Sequence, residues 1–267
     1  MANPKRRATG YDERFLGIPV PAPRPLDDAD APVLDSTHFS VTMSRERRLA
    51  WSVAWSIDGL RLFPDIPRER RFFPDDRLPL DEQTTEAVYA DNDLDRGHLA
   101  RRADLLWGTL EEARAANRDS FCFTNITPQT ADFNQAGRGG AWGELEHAVL
   151  DLDRLHERRV VVFAGPVLQA DDPWYRDLVQ LPREHWKVVV YRLGDAIRAR
   201  AFLLAQDLAD VQPAYLDGVQ TYEVALDDLA ARTRLDLSGI PLGERSRDRA
   251  AVPSTPHLVT SVDDVDW

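Results

Sequence analysis

Across residues 49–57 the apolar side chains fall on alternate positions, Leu49, Trp51, Val53, Trp55 and Ile57. That period of two predicts a strand with one packed face. His38-Phe39-Ser40-Val41 supplies a neighbouring strand, and Asp58-Gly59 closes the pair with a turn. Residues 159–168, which include VVVFAGPVL, are apolar almost throughout and predict a strand covered on both faces. Residues 185–193 and 197–205 read as the arms of a hairpin around Gly194-Asp195, and residues 220–225 as another strand. Residues 89–98 read as a strand or hairpin arm, and residues 120–125 as a strand with a polar end. Helical spacing appears in residues 142–156, where Trp142, Leu145, Val149 and Leu152 share a face. Glu146 lies roughly 40° from Trp142 around that helix, at the edge of the apolar stripe, where a carboxylate needs a partner. Shorter helices are predicted over residues 109–117 and 226–233. Strands and helices interleave irregularly and through hairpins, so the pattern predicts an α+β fold with a mixed, mainly antiparallel sheet.

Outside this body of residues 36–243 the pattern fades. Residues 1–35, with Pro19, Pro21, Pro23 and Pro25, predict an extended arm, and residues 244–267 a C-terminal tail with an acidic end. Residues 64–87 are irregular and rich in Pro, Asp and Arg. Composition adds constraints. No apolar run approaches the length of a membrane span. The basic start lacks the apolar stretch of a secretory signal, so a cytoplasmic location is the default expectation, with leaderless export left open. The single Cys122 suits a reducing compartment. The formal net charge of −12 opposes nonspecific docking on nucleic acid, so any such contact needs a local basic patch. Almost all the basic residues are Arg, the only lysines being Lys5 and Lys187.

Candidate chemistry gathers in one ordered series. Asp95-Arg96-Gly97-His98 comes first, then Asn125-Ile126-Thr127-Pro128-Gln129, Phe133-Asn134-Gln135, and Trp142 with Leu145-Glu146. His98 suits a general base, because an imidazole titrates near neutrality and takes a proton from water. The amide oxygen of Asn134 suits a hard cation such as Mg²⁺, which keeps its other positions for water and phosphate. Glu146 suits the ordering of water around that cation. Asn125 can fix the His98 ring or a phosphate oxygen. Arg96 and one of Arg70 and Arg71 can stabilise phosphate charge. Each residue also has a plainer reading: a packed histidine, a turn asparagine, a helix N-cap, a surface acid, solvated arginines. The joint order is what favours chemistry.

With these words in place, the sequence resembles the DNA/RNA nonspecific endonucleases of the ββα-metal (His-Me finger) class, the group that contains endonuclease G and secreted bacterial nucleases. Thr37-His38-Phe39-Ser40, Ile57-Asp58-Gly59, Phe163-Ala164-Gly165-Pro166-Val167 and Trp186-Lys187 extend the likeness over roughly residues 36–236. The resemblance implies a ββα nuclease core set in a larger sheet. It implies a sugar-nonspecific, Mg²⁺-dependent endonuclease, with Mn²⁺ able to substitute, that leaves 5′-phosphate ends on DNA and RNA. It assigns the general base to His98, the metal to Asn134, the ordering of metal waters to Glu146 and help at the phosphate to Asn125. Leu150 stands where some members carry an arginine, so that phosphate contact is lost or moved to Arg138. The upstream arginine falls within residues 68–71, its register open. Members often dimerise, so a homodimer is an expected assembly, and no membrane partner is expected. The alternative is a catalytically silent nucleic-acid-binding protein, or a toxin-type protein on the same fold held by a protein inhibitor.

Overall fold

The computed structural model describes residues 9–135, 137, 140–151, 159–208, 220–241, 257–259 and 265. Arg138, the end of the helix expected to reach His156, and nearly all of the tail lie outside the described residues. The chain opens with β1 (Arg24–Pro25) and β2 (Val33–Ser36), then the long pair β3 (Phe39–Ser44) and β4 (Leu49–Asp58). It then leaves the sheet through α1 (Glu86–Tyr89), β5 (Leu94–His98), α2 (Arg102–Leu105) and α3 (Leu110–Asp119). β6 (Ile126–Thr130), α4 (Ala131–Asn134) and α5 (Ala141–Asp151) follow. The chain returns as β7 (Arg159–Pro166), makes a small hairpin of β8 (Trp174–Tyr175) and β9 (Val179–Gln180), and runs on as β10 (Glu184–Leu193) and β11 (Ala196–Ala205). The last elements are β12 (Gln220–Val224), α6 (Leu226–Thr233), β13 (Leu235–Asp236) and β14 (His257–Leu258).

Eight strands form one sheet in the order β14-β12-β11-β10-β7-β4-β3-β2, and each of these pairings is antiparallel. β4 and β7 are neighbours in it although α1 to α5 separate them in sequence. The β5–β6 hairpin and α5, a ββα unit, are therefore an insertion between two adjacent sheet strands. The fold is mixed α+β with a mainly antiparallel sheet, as the hydrophobic pattern predicts. None of its helices is long and apolar enough to cross a membrane among the described residues.

The alternation along each strand decides what covers which face. Val53, Trp55 and Ile57 of β4, Val160, Val162 and Ala164 of β7, and Val189 and Tyr191 of β10 share one core with Trp142, Leu145 and Val149 of α5. Ala54, Val161, Phe163, Val188 and Val190 point the other way, toward Phe15, Leu16, Val20, Leu229 and Leu235. The N-terminal segment thus contributes to a second core, and β1 pairs with β13, in place of an arm that merely runs along a surface.

Two local expectations are corrected. Residues 120–125 do not form a strand. Cys122 makes an isolated bridge to Phe73, and Phe123–Asn125 is a tight 3-10 turn. Phe121, Cys122 and Phe123 are all buried, so the alternation a half-covered strand needs is absent. Residues 89–93 are likewise not strand. Asn92 donates to the Val88 carbonyl at 2.7 Å and accepts from the Leu94 amide at 2.9 Å, a side-chain turn that redirects the chain into β5. Asp91 beside it has a φ of 52°, the left-handed conformation that such a turn requires.

Candidate active site

His98 is the last residue of β5, opposite Ile126 of β6. Two aromatic rings wall it in: Phe121, edge-on with centroids 5.0 Å apart, and Phe72 at 5.7 Å. Its Nε2 is buried and has no hydrogen-bond partner among the described residues. Arg68 places its Cζ 5.0 Å from the centroid of the same Phe121 ring. Arg102 is held from the other side by Asn117, whose Oδ1 accepts from Nε at 2.5 Å, and by the Ile66 carbonyl. Burial pushes the His98 pKa down to about 3, with Arg68 and then Arg102 adding to it, against a smaller upward pull from a hydrogen bond to the Arg96 backbone. The imidazole is thus neutral at physiological pH.

His185, fully buried, is pushed down to about 3 as well, by burial first and then by Lys187. In the unfolded chain both rings titrate near about 6.5. Between that value and the folded one the unfolded state binds more protons, so stability is complete above the window and falls as pH drops through it. Asp104, which burial raises to about 6, acts in the opposite sense below that pH. Denaturation free energy measured from about pH 7.5 down to about 5 should hold nearly level to about pH 6.5 and then fall by up to about 1.4 kcal/mol per pH unit for each uncompensated histidine. A level profile would contradict this assignment.

Alternation puts Arg96 on the His98 side of β5 and Asp95 and Gly97 on the other. The Arg96 guanidinium lies 5.6 Å from the Phe72 ring centroid and 5.3 Å from that of Tyr89, and it is paired with Glu86. On the other side the Gln129 side chain lies across Gly97 so closely that a Cβ there would overlap it, which is why the word needs glycine.

Asn134 ends α4. Its Nδ2 donates to Asp95 Oδ2 at 2.9 Å, and Gln135 Nε2 donates to the same oxygen at 2.8 Å. An ionised carboxylate only accepts, so the Asn134 amide nitrogen must face Asp95 and the oxygen must face away. That oxygen accepts no hydrogen bond among the described residues. The chain then breaks before α5, where Gly140 passes so near Phe133 that a Cβ would sit 2.7 Å from its carbonyl oxygen. α4 therefore ends at Asn134 and α5 begins at Ala141, with Gly140 at the start of the second helix.

Glu146 on α5 is mostly covered, its Oε2 3.6 Å from Arg101 Nε and its Oε1 3.6 Å from Lys187 Nζ. Oε1 is buried without a hydrogen-bond partner. The stretch from Asp95 to Arg101 therefore ties the three groups together: Asp95 anchors Asn134, His98 follows three residues on, and Arg101 anchors Glu146 three residues after that. No direct bond joins His98 to Asn134 or Glu146 among the described residues. The donor set fits a hard divalent cation. Asn134 offers one oriented neutral oxygen, and Glu146 a partly covered carboxylate for the waters around the ion.

Other expected residues stand elsewhere. Asn125 is fully buried, and its amide is fully engaged: Oδ1 accepts from the Ala100 amide at 2.9 Å, and Nδ2 donates to the Ala100 and Ser120 carbonyls at 3.0 Å each. It braces the backbone two residues past His98, and no hydrogen bond joins it to the His98 ring among the described residues. Arg70 and Arg71 are exposed, and their guanidinium groups make no contact among the described residues. Arg68, exposed as they are, is the member of that run whose guanidinium lies over the Phe121 ring beside His98. Sequence spacing could not choose between neighbouring arginines, and only the shared Phe121 ring does.

Comparison with known proteins adds independent findings. A family model described as DNA/RNA non-specific endonuclease matches residues 25–238. The uncharacterized protein y4fB of Sinorhizobium fredii is 32% identical over 219 residues, which cover 74% of this chain and 32% of that protein. A nuclease of a Nostoc species is 26% identical over 228 residues, 83% of this chain and 78% of that one. Human mitochondrial endonuclease G is 30% identical over 149 residues, 51% of this chain and 47% of that one. The chain thus spans about a third of y4fB and about half of endonuclease G. Among solved structures, one titled as the EndoG/EndoGI complex superimposes with a TM-score of 0.60 at 18% identity, covering 78% of this chain and 86% of that one.

Proposed function

The chain belongs to the DNA/RNA non-specific endonuclease family, and from that premise we propose that it hydrolyses phosphodiester bonds in both DNA and RNA with one divalent cation, Mg²⁺ or in its place Mn²⁺, leaving 5′-phosphate ends. The observation that carries this reading is the neutral, aromatic-walled His98 with an unpartnered Nε2 beside Arg68 and Arg102. The neutral imidazole accepts a proton from water and so readies the attacking oxygen. Arg68, Arg102 and Arg96 present positive charge to the phosphate oxygens. They also answer the molecule's net charge of −12, because the basic patch is local to the site. Asn134 would hold the cation through Oδ1, with Asp95 fixing the amide, and Glu146 would order the waters around it. When bound, such a cation supplies positive charge to the scissile phosphate and to the departing oxygen.

The test is incubation of the purified chain with DNA and with RNA, in Mg²⁺ and in EDTA. Degradation of both polymers to 5′-phosphorylated products in Mg²⁺, and of neither in EDTA, is expected. Binding without cleavage in Mg²⁺ and Mn²⁺ would instead favour a catalytically silent binding protein.

A further inference from the structure

Of the two lysines in the sequence, Lys187 is nearly fully buried in the middle of β10. Lysine is among the residues least often buried, because its ammonium loses hydration unless it is paired. Alternation sets Lys187 on the same face of β10 as His185 and Val189, the face covered by α5. There its Nζ lies 4.0 Å from the Trp142 ring centroid and 5.8 Å from that of Trp55. Its Glu146 contact, at 3.6 Å, is an ion pair too long for a direct hydrogen bond. Arg101 grips the same residue twice, Nη1 donating to the Glu146 carbonyl at 3.0 Å and Nε standing 3.6 Å from Oε2. Asp104 completes the group, its Oδ2 accepting from Trp55 Nε1 at 3.0 Å. Two cations and two carboxyl groups thus share one pocket between the sheet and the inserted ββα unit. Buried polar atoms without partners cluster along this seam: Asp104 Oδ1, Trp142 Nε1, Glu146 Oε1 and His185 Nδ1.

We propose that Lys187 is a positioning residue of the nuclease site: its ammonium and the Arg101 guanidinium clamp the Glu146 carboxylate in the seam and fix the group that orders water around the cation. This rests on the reading of Glu146 given above. The sheet, through one lysine, thereby sets the geometry of a helix that belongs to the inserted unit. The 3.6 Å contacts hold both carboxylate oxygens by charge, too long for a direct hydrogen bond to either.

The test measures Mn²⁺ affinity by calorimetry in the absence of nucleic acid, together with stability in denaturant. Wild type, Lys187→Met, Glu146→Gln and the charge-balanced pair Lys187→Met with Asp104→Asn are compared. Lys187→Met should weaken Mn²⁺ binding on the order of tenfold, to the level of Glu146→Gln. The charge-balanced pair keeps Glu146 and Arg101, avoids an uncompensated buried carboxylate, and should recover stability while Mn²⁺ binding stays weak. It carries the test if Lys187→Met alone does not fold. Wild-type Mn²⁺ affinity in either Lys187 variant would overturn the proposal and leave Lys187 a purely structural ion. Failure of the wild type itself to bind Mn²⁺ would overturn the metal-dependent reading on which it rests.

Discussion

His98→Ala is expected to slow cleavage of DNA and RNA by about a thousandfold, inside the range of ~10²–10⁴ that a positioned general base contributes. Binding of nucleic acid in EDTA should be unchanged, because the arginines that face the phosphate remain. The variant should fold. His98 Nε2 has no partner among the described residues, so its removal orphans no hydrogen bond there, and the Phe72 and Phe121 rings keep their contact at 4.9 Å. Single-turnover rates with a labelled oligonucleotide separate chemistry from binding. A rate within tenfold of wild type would remove His98 from the role of base. The depressed pKa makes a second demand on the same experiment. A neutral imidazole is present throughout the neutral range, so cleavage should not collapse between about pH 7 and 6 as it would for an ordinary histidine.

Asn134→Asp is expected to be as damaging as Asn134→Ala, although a carboxylate is the stronger ligand for a hard cation. The reason is Asp95. The Asn134 amide nitrogen donates to its carboxylate at 2.9 Å, and an aspartate at 134 would set two carboxylates against each other there. The pair must share a proton or move apart, and either outcome misplaces the oxygen that faces the cation. Both variants should raise the Mg²⁺ concentration for half-maximal activity by at least about tenfold. Combining Asn134→Asp with Asp95→Asn restores a donor opposite the new carboxylate and should recover a measurable part of the loss. An Asn134→Asp enzyme with undiminished metal dependence would show that the Asp95 contact does not orient residue 134.

Much of this architecture was legible in the residue pattern. The period-two run through Trp55 became β4, and the apolar run through Phe163 became the doubly covered β7, because burial on one or two faces imposes those patterns directly. The hairpin around Gly194 came from its turn residues, and Gly194 adopts a φ of 59°. The words containing His98, Asn134 and Glu146 were legible as chemistry because of their order. What the sequence did not reveal depends on contacts between distant segments. The aromatic residues around Cys122 read as a strand but serve as the wall of the site. Asn125 read as a group that fixes the His98 ring or a phosphate oxygen, and its amide bonds backbone at Ala100 and Ser120, which looks the same in sequence. Arg68 could not be told from Arg70 and Arg71 without the ring beneath it. Lys187 carried no signal of burial at all, because only the packing of α5 on β10 shows that its charge is enclosed.

The central claim is that one carboxamide holds the cation while a separate imidazole, not bound to it, serves as base. Anomalous diffraction from crystals soaked in Mn²⁺ tests it most directly. A single manganese peak within coordination distance of Asn134 Oδ1, with His98 Nε2 outside that distance, is the expected result. A peak ligated by His98, or one that leaves Asn134 uncoordinated, would contradict it.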